Sequence, residues 1–304
     1  MMVPRVCVAP PSPPIEEAVV GAGGILVEPT AADAIVWTDP RDPGGLKDLL
    51  AASRARWVQL PFAGIESFFE AGAIDPARTW TCAKGVYGHA TAEHALALIL
   101  MTSRKLHRHA RDRGWTRHPG TRRLAGSTVL IVGTGGVGRA LAEMLEPLRA
   151  RILAVSRTGA KVSGAERTKP VAGLGELVGE ADFVVVAAAL TPATRGLLGR
   201  DVLARMKPDA WVINVARGGL VDTDALVDAL RAGRIGGAAL DVTDPEPLPD
   251  DHPLWSFDDV IVTPHVANTV GMAIPELQGM VGRNVAAFAR GEPLEGLVDP
   301  ALGY

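Results

Sequence analysis

The chain has 304 residues, with little cysteine and a small net charge. Its two cysteines, Cys7 and Cys82, are far apart and lack any metal-ligand spacing, so they indicate neither a disulfide framework nor a metal centre. This cysteine usage is typical of a reducing compartment, and we expect a cytoplasmic protein. A net charge of −3 argues against a protein that binds nucleic acid or a membrane surface by general electrostatic attraction.

Long hydrophobic runs are also missing. One of the longest, Ala95–Met101, falls far short of the roughly 20 residues that a helix needs to cross a bilayer. The first residues hold a short apolar stretch broken by prolines, which does not resemble a secretory signal. The sequence does contain 47% hydrophobic and 21% charged residues, the composition of a globular protein, and it is long enough for two domains.

Short apolar runs alternate with helical stretches along the first hundred residues. Helical spacing is found at Leu46–Ser53 and Ile65–Ala71, and Ala92–Arg113 predicts one long helix. Such alternation predicts an open, mainly parallel sheet with helices on both faces. The predicted strands are Arg5–Ala9, Gly24–Val27, Ala34–Trp37, Trp57–Leu60 and Trp80–Ala83.

A second series of strands and helices begins at Thr128, and its strands are apolar throughout, as expected when both faces of a sheet are buried. We therefore predict an α/β protein with two doubly wound parallel-sheet domains. A final helix, Val270–Arg290, should return to pack on the first domain. The six strands predicted in the second series are Thr128–Val132, Arg151–Ser156, Phe183–Ala188, Ala210–Val215, Gly237–Asp241 and Val260–Thr263.

A glycine motif follows the first strand of this second series. Gly133, Gly135 and Gly138 form G-x-G-x-x-G between an apolar strand and a helix. The first glycine permits a tight turn, the second lets the backbone approach a pyrophosphate, and the third lets helix and strand pack closely. Gly136 and Val137 complete the segment whose N–H groups would face the anion. A glycine-rich turn without a ligand is the alternative, but the surrounding strands and helices favour dinucleotide binding.

Three polar residues follow later strands: Arg217 in VINVARGG, Glu246 in LDVTDPEPLP and His265 in VIVTPHVAN. Each of these residues, taken alone, would more often have a structural role. Ligands of open α/β sheets, however, bind at the ends of the strands, where these three residues are predicted to lie. With the glycine motif, the DHPLW segment and TPH, they resemble the D-isomer-specific 2-hydroxyacid dehydrogenases from about Gly126 to Asn268. The resemblance implies a Rossmann-type cofactor domain, residues 99–269, inserted into a flavodoxin-like substrate domain, residues 1–98 and 270–304.

The same resemblance implies hydride transfer between NAD(P)H and a small 2-oxo acid, of the glyoxylate or hydroxypyruvate kind. Histidine suits the proton transfer that accompanies the hydride, so His265 is the expected general acid. Glu246 would orient the imidazole and favour its protonated form. Arg217 would hold the substrate carboxylate with its planar, charged guanidinium group.

Further positions are assigned by resemblance. Main-chain N–H groups of Ala63 and Gly64 would bind the substrate carboxylate, although an ordinary turn is the alternative. Thr91, Val215 and Asp241 would contact the cofactor, Thr91 from the first domain and Asp241 at the nicotinamide carboxamide. His94, near Thr91, is interpreted as structural.

The second strand of the glycine-motif domain ends in Ser156, Arg157 and Thr158, where NAD-selective folds place an acidic residue. A carboxylate there would repel a 2′-phosphate, whereas serine and arginine can bind one. We therefore expect NADP(H) to be favoured, with NAD(H) as the other choice.

Residues 104–123 contain eight Arg or Lys and one Asp. A nucleic-acid patch is conceivable, but most such runs are solvated faces, and the resemblance implies an arm that pairs two subunits in a homodimer. Two alternative functions stay open: a phosphoglycerate-type or other D-2-hydroxyacid dehydrogenase, and a dinucleotide-sensing corepressor without turnover.

Overall fold

The structure, a computed structural model, describes residues 2–300. Its contacts divide the chain into two units. The second unit is Gly88–Asn268, and the first contains the chain up to Tyr87 and again from Thr269. The sequence-based boundary, between residues 98 and 99, differs because the helix that begins at Gly88 is grouped with the second unit. The functions assigned to the two domains stay predictions.

Both units are built from short strands and helices that alternate along the chain. Within the described residues the strands are β1 (Arg5–Ala9), β2 (Ile25–Leu26), β3 (Ala34–Trp37), β4 (Trp57–Gln59), β5 (Thr79–Thr81), β6 (Thr128–Val132), β7 (Arg151–Ser156), β8 (Arg167–Pro170), β9 (Phe183–Val186), β10 (Trp211–Asn214), β11 (Gly237–Leu240) and β12 (Val260–Val262). The α-helices are α1 (Pro13–Gly21), α2 (Pro43–Ala51), α3 (Glu66–Glu70), α4 (Gly88–Ser103), α5 (Leu106–Arg111), α6 (Gly136–Leu145), α7 (Leu174–Leu177), α8 (Arg200–Leu203), α9 (Thr223–Arg231) and α10 (Val270–Arg290).

The first unit contains a parallel sheet with the strand order β2-β1-β3-β4-β5, the flavodoxin-like order. Neighbouring residues of β3 face opposite sides of this sheet, and both sides are buried. Ile35 packs with Leu46 and Phe68 from the helices on one side. Val36 packs on the other side with Met280 of α10. The last helix therefore returns to this unit, as the sequence analysis predicted.

The second unit contains a seven-stranded parallel sheet in the order β12-β11-β10-β9-β6-β7-β8. Counted from β6, the order is 3-2-1-4-5-6 with one strand added beyond the sixth, which is the dinucleotide-binding arrangement. Leu130 and Val132 belong to the hydrophobic cluster on one face, and Val129 and Ile131 belong to the cluster on the other. The predicted class, two doubly wound parallel sheets, is confirmed.

Two elements were missed by the sequence analysis, and one predicted strand is shorter than expected. The second unit has β8 as a seventh strand, which was missed because its residues, RTKP, are polar and only partly buried at a sheet edge. The strand predicted at Gly24–Val27 pairs only over Ile25–Leu26, both exposed. Helix α1 was also missed, because it begins with two prolines, which are tolerated in a first helical turn.

The long helix predicted over Ala92–Arg113 is divided into α4 and α5. Lys105 adopts left-handed backbone angles at the break, with φ of 54°. Its ammonium group lies 3.1 Å from Asp259 Oδ1, and His107 and Arg108 bind the same carboxylate. The local sequence favours a continuous helix, but these three contacts to one distant carboxylate favour the turn. Among the described residues, no helix is both long enough and apolar enough to cross a membrane.

Candidate active site

The glycine loop, Gly133–Gly138, connects β6 to α6 as the motif predicts. Gly133 has φ of 106°, and a Cβ there would lie 2.5 Å from the carbonyl carbon of Ala187. A Cβ at Gly138 would lie 2.0 Å from the carbonyl oxygen of Gly133. Both glycines are therefore required by the packing of the loop against its own sheet and helix.

Gly135 is different, because the fold does not require glycine at this position. Its φ of −72° is open to any residue, and a Cβ there would meet nothing within 4 Å. The first N–H groups of the ten-residue helix α6 have no helical partners, as in every α-helix. Gly135, which precedes them, offers no side-chain cap. A glycine that the chain itself does not need, beside unpaired N–H groups, fits a pyrophosphate that approaches the backbone. Gly136, Val137 and Gly138 form the first turn of that helix.

Helix α4 packs against the glycine loop within the same unit. A Cβ at Gly88 would lie 2.8 Å from the carbonyl carbon of Gly136, so the two helices meet backbone to backbone. Thr91 lies one turn further along α4 and is half-buried. The sequence analysis assigned Thr91 to the first domain, whereas these contacts group it with the second unit.

The residues after β7 lie beside the glycine loop, because β6 and β7 are paired neighbours and the amide of Gly133 donates to the carbonyl of Val155. Ser156 is buried, and its hydroxyl accepts a hydrogen bond of 2.9 Å from the amide of Gly159. Arg157 and Thr158 are exposed. Within the described residues, the Arg157 side chain makes no hydrogen bond or ion pair, so its guanidinium group remains available for a ligand.

Arg217 follows β10 and is held by its own strand. Asn214, buried at the end of β10, donates a hydrogen bond of 2.9 Å to the carbonyl of Arg217 and accepts one of 3.1 Å from the amide of Ala216. A Cβ at Gly218 would lie 1.9 Å from the carbonyl oxygen of Thr243. The loop that carries Arg217 thus packs directly on the loop that leads to Glu246. Val215, also predicted to contact the cofactor, is buried just before Arg217.

His265 and Glu246 are in direct contact. His265 Nδ1 lies 2.7 Å from Glu246 Oε1, although the two residues are 19 positions apart in the chain. Both side chains are partly exposed, 48% for His265 and 42% for Glu246. Because Nδ1 faces the carboxylate, Nε2 is the ring nitrogen left to face a substrate.

The His265 loop is held by Asp241, a buried aspartate at the end of β11. Its Oδ1 accepts from Thr263 Oγ1 at 2.6 Å and from the amide of Val266 at 3.0 Å, and its Oδ2 accepts from the amide of Ala267 at 3.0 Å. His265, between these partners, has φ of 53°, a conformation that costs a non-glycine residue on the order of 1 kcal/mol. These contacts give Asp241 a positioning role besides the predicted contact with nicotinamide.

Three residues that the sequence analysis left out of the site belong to this network. His94, interpreted as structural, extends Nε2 from α4 to within 3.1 Å of Thr263 Oγ1 and 3.4 Å of Asp241 Oδ1. The other two are Thr263, which donates to Asp241, and Asn214, which donates to the carbonyl of Arg217. Each of the last two is a polar residue at the end of an apolar strand, next to a predicted catalytic residue, and that signal could have identified it.

Ala63 and Gly64, the predicted substrate-binding loop, lie in the first unit between β4 and α3. Ala63 is exposed and Gly64 is half-buried. Within the described residues neither amide donates a hydrogen bond, so both N–H groups could bind an anion.

Asp241 should contribute to stability in a pH-dependent way. Burial by itself raises the pKa of Asp241, but hydrogen bonds from His94, Thr263 and the Val266 and Ala267 amides outweigh it and lower the pKa from 3.8 to about 2. A pKa that is lower in the folded chain means that the ionised form favours folding. The stabilisation, about 2 kcal/mol, should be complete above about pH 4 and lost as the pH falls through about 2.

We therefore expect Asp241→Asn to lower the free energy of unfolding by about 2 kcal/mol at pH 7, and the difference from wild type to shrink between about pH 4 and 2. Urea denaturation at a series of pH values measures both quantities. Asp250→Asn, which changes an exposed loop residue, is the control and should stay within about 0.5 kcal/mol of wild type. A difference that does not change with pH would show that the charge of Asp241 is not what matters.

Comparison with known proteins identifies the family to which the chain belongs. A family model described as "D-isomer specific 2-hydroxyacid dehydrogenase, NAD binding domain" matches residues 96–267, more than half of the chain. The human glyoxylate reductase/hydroxypyruvate reductase is 37% identical over 212 residues, which cover 67% of this chain and 65% of that protein. The chain therefore spans a little under two thirds of the length of that curated relative.

Two solved structures share the fold over the full length of both chains. One is a D-isomer specific 2-hydroxyacid dehydrogenase from Xanthobacter autotrophicus Py2 in complex with NADPH and MES, with 27% identity, 100% coverage of each chain and a TM-score of 0.88. The other is an NADPH-dependent glyoxylate/hydroxypyruvate reductase from Sinorhizobium meliloti in complex with NADP and sulfate, with 26% identity, the same coverage and a TM-score of 0.83. With the glycine loop and the matched family model, these similarities show that the chain belongs to the D-isomer specific 2-hydroxyacid dehydrogenases, oxidoreductases that use a nicotinamide dinucleotide.

Proposed function

We propose that the protein reduces a small 2-oxo acid to the corresponding 2-hydroxy acid, with NADPH as the preferred cofactor. The observation that carries the proposal is the contact of 2.7 Å between His265 Nδ1 and Glu246 Oε1. It leaves a histidine with one nitrogen oriented by a carboxylate and the other left for a substrate, which is the arrangement of a general acid.

Each member of the trio has a separate task. His265 holds a proton on Nε2 and donates it to the carbonyl oxygen of the substrate. Glu246 keeps the ring in the orientation that this donation requires. Arg217, held at its carbonyl by Asn214, binds the substrate carboxylate and polarises the carbonyl group. A nicotinamide cofactor, when bound, would supply the hydride for the carbonyl carbon, and this hydride and the proton from His265 account for the two hydrogens that the alcohol gains.

The residues of the glycine loop would hold the cofactor pyrophosphate, and Thr91, Val215 and Asp241 are proposed to lie near its nicotinamide end. Ala63 and Gly64 are proposed to offer their N–H groups to the substrate carboxylate. The support for the substrate loop is that the N–H groups of Ala63 and Gly64 have no partner within the described residues. The support for the cofactor site is that the family uses a nicotinamide dinucleotide.

We also propose that the protein is a cytoplasmic homodimer that acts on a small molecule and binds neither nucleic acid nor membrane. Support for subunit pairing comes from Trp115, in the basic segment after α5, whose side chain is 97% exposed. Tryptophan is enriched at protein–protein interfaces. Several basic residues of the stretch 104–123, including Arg108 and Arg122, are paired with aspartates and are therefore less available to phosphates.

The choice of NADPH rests on the end of β7. Ser156 and Arg157 take the place where an acidic residue would bind the ribose of NAD. A guanidinium group can form charge-assisted hydrogen bonds with a 2′-phosphate, and Thr158 adds an exposed hydroxyl. Both solved relatives described above contain NADPH or NADP, which supports the same choice.

The substrate should be small and unbranched. The relatives named as glyoxylate and hydroxypyruvate reductases motivate this prediction. We expect the highest kcat/KM with glyoxylate or hydroxypyruvate in a panel that also contains pyruvate, 3-phosphohydroxypyruvate and branched or aromatic 2-oxo acids. A clear preference for 3-phosphohydroxypyruvate would favour the phosphoglycerate-type alternative, and a complete lack of turnover would favour a dinucleotide-sensing corepressor.

Replacing the general acid should slow the chemical step and spare cofactor binding. We expect His265→Ala to lower kcat for 2-oxo acid reduction by roughly 100-fold or more. Fluorescence titration with NADPH should give an unchanged Kd, because His265 lies outside the glycine loop. Turnover at the wild-type rate in this variant would remove His265 from the mechanism.

Cofactor preference should depend on the residues after β7. In the Ser156→Asp, Arg157→Ala double variant, the ratio of kcat/KM for NADPH to that for NADH should fall by about 10-fold or more, the scale of a lost charged hydrogen bond. Aspartate keeps an acceptor for the Gly159 amide, and Arg157 is exposed, so the fold should tolerate both changes. Arg234→Ala, at another exposed arginine, is the control. A wild type that prefers NADH, or an unchanged ratio in the double variant, would contradict the assignment.

A further inference from the structure

Three side chains with metal-binding atoms meet at the end of α5. One donor atom from each of His109, Asp112 and His118 lies within 4.8 Å of the other two. Two imidazoles and one carboxylate are a ligand set for Zn²⁺ and related divalent transition-metal ions. We propose that this cluster, His109–Asp112–His118, binds one such ion, with Zn²⁺ as the cation to test. Cysteine spacing predicts no metal centre in this chain, but the ligands proposed here are histidines and an aspartate.

The local structure explains why the three residues converge. His109 is on the last turn of α5 and Asp112 ends the helix three positions later, a spacing that brings side chains to the same side. His118 belongs to the following segment, which contains neither helix nor strand until β6. A bound ion would therefore join this irregular segment to the end of the helix and close a short loop between Asp112 and His118.

The distances require only small side-chain movements. Asp112 Oδ2 and His118 Nε2 are 2.7 Å apart, and the ring centroids of His109 and His118 are 4.8 Å apart. Metal–ligand bonds of about 2.0 to 2.1 Å in a tetrahedron separate the ligand atoms by roughly 3.3 Å. The hydrogen-bonded pair must therefore open by roughly half an ångström, and the His109 ring must rotate inward. His109 is exposed and makes no side-chain hydrogen bond within the described residues, so this rotation is unopposed.

The surrounding positive charge is the main argument against a cation. Arg108 is engaged by both carboxylate oxygens of Asp259, and Arg111 donates to the carbonyls of Asp258 and Val260, so neither binds Asp112. Arg113 and Arg117 flank the cluster but are exposed, and solvent and salt screen exposed charges. Without a metal ion, the cluster is a charged hydrogen bond between Asp112 and His118 with the His109 ring packed edge-on. The experiment must distinguish these two states.

The test uses full-length protein without an affinity tag, stripped of metal with a chelator and then titrated with Zn²⁺ against a chromophoric competitor. We expect one equivalent to bind, and His109→Gln or His118→Gln to weaken binding by more than about 10-fold, because each removes a ligand. His89→Gln removes an exposed histidine outside the cluster and should bind like wild type. Absence of stoichiometric binding, binding that survives both ligand substitutions, or an equal loss in His89→Gln would overturn the proposal.

A second readout reports the location of the ion. Trypsin cleaves after Arg113 and Arg117, which lie between the proposed ligands, and Zn²⁺ should slow cleavage at these two positions in wild type and not in His118→Gln. Equal cleavage with and without Zn²⁺ would place any bound ion elsewhere. None of the three residues belongs to the proposed catalytic trio, so reductase activity should remain in the ligand variants, and the two proposals can fail independently.

Discussion

The Asp241 carboxylate organises the proposed catalytic centre. It accepts hydrogen bonds from the Thr263 hydroxyl and from the Val266 and Ala267 amides, and it thereby holds the loop in which His265 adopts a left-handed conformation. A histidine on an unsupported loop would relax toward commoner backbone angles and move away from Glu246. The geometry of the proposed acid therefore depends on a buried group that precedes it by 24 residues.

The parallel arrangement of the second sheet explains why these groups meet at all. In such a sheet, all strands end at the same edge, so the loops after β6, β7, β10, β11 and β12 are neighbours although they span more than a hundred residues. Close packing between loops then sets their separation: Gly218 permits contact with Thr243, and Gly133 permits contact with Ala187. Larger residues at these two positions would push the loops apart.

Gly135 shows how a ligand requirement can be separated from a folding requirement. Gly133 and Gly138 have no room for a Cβ, whereas Gly135 has free space and ordinary backbone angles. The close approach of a ligand explains Gly135, the second glycine of the motif. Arg157 is a similar case, because an exposed arginine without a partner in the described residues contributes little to folding and can be reserved for binding.

The sequence by itself determined the two-sheet α/β class and the loops that carry the polar residues, because buried parallel strands appear in a sequence as short apolar runs with turns at their ends. The glycine motif could be recognised for the same local reason. Only the tertiary structure decided the contact between His265 and Glu246, the inclusion of His94 and Asn214, the polar edge strand β8 and the break at Lys105. Each of these depends on partners distant in sequence, such as Asp241 or Asp259, or on a position at the edge of a sheet, and no local pattern of residues encodes such partners.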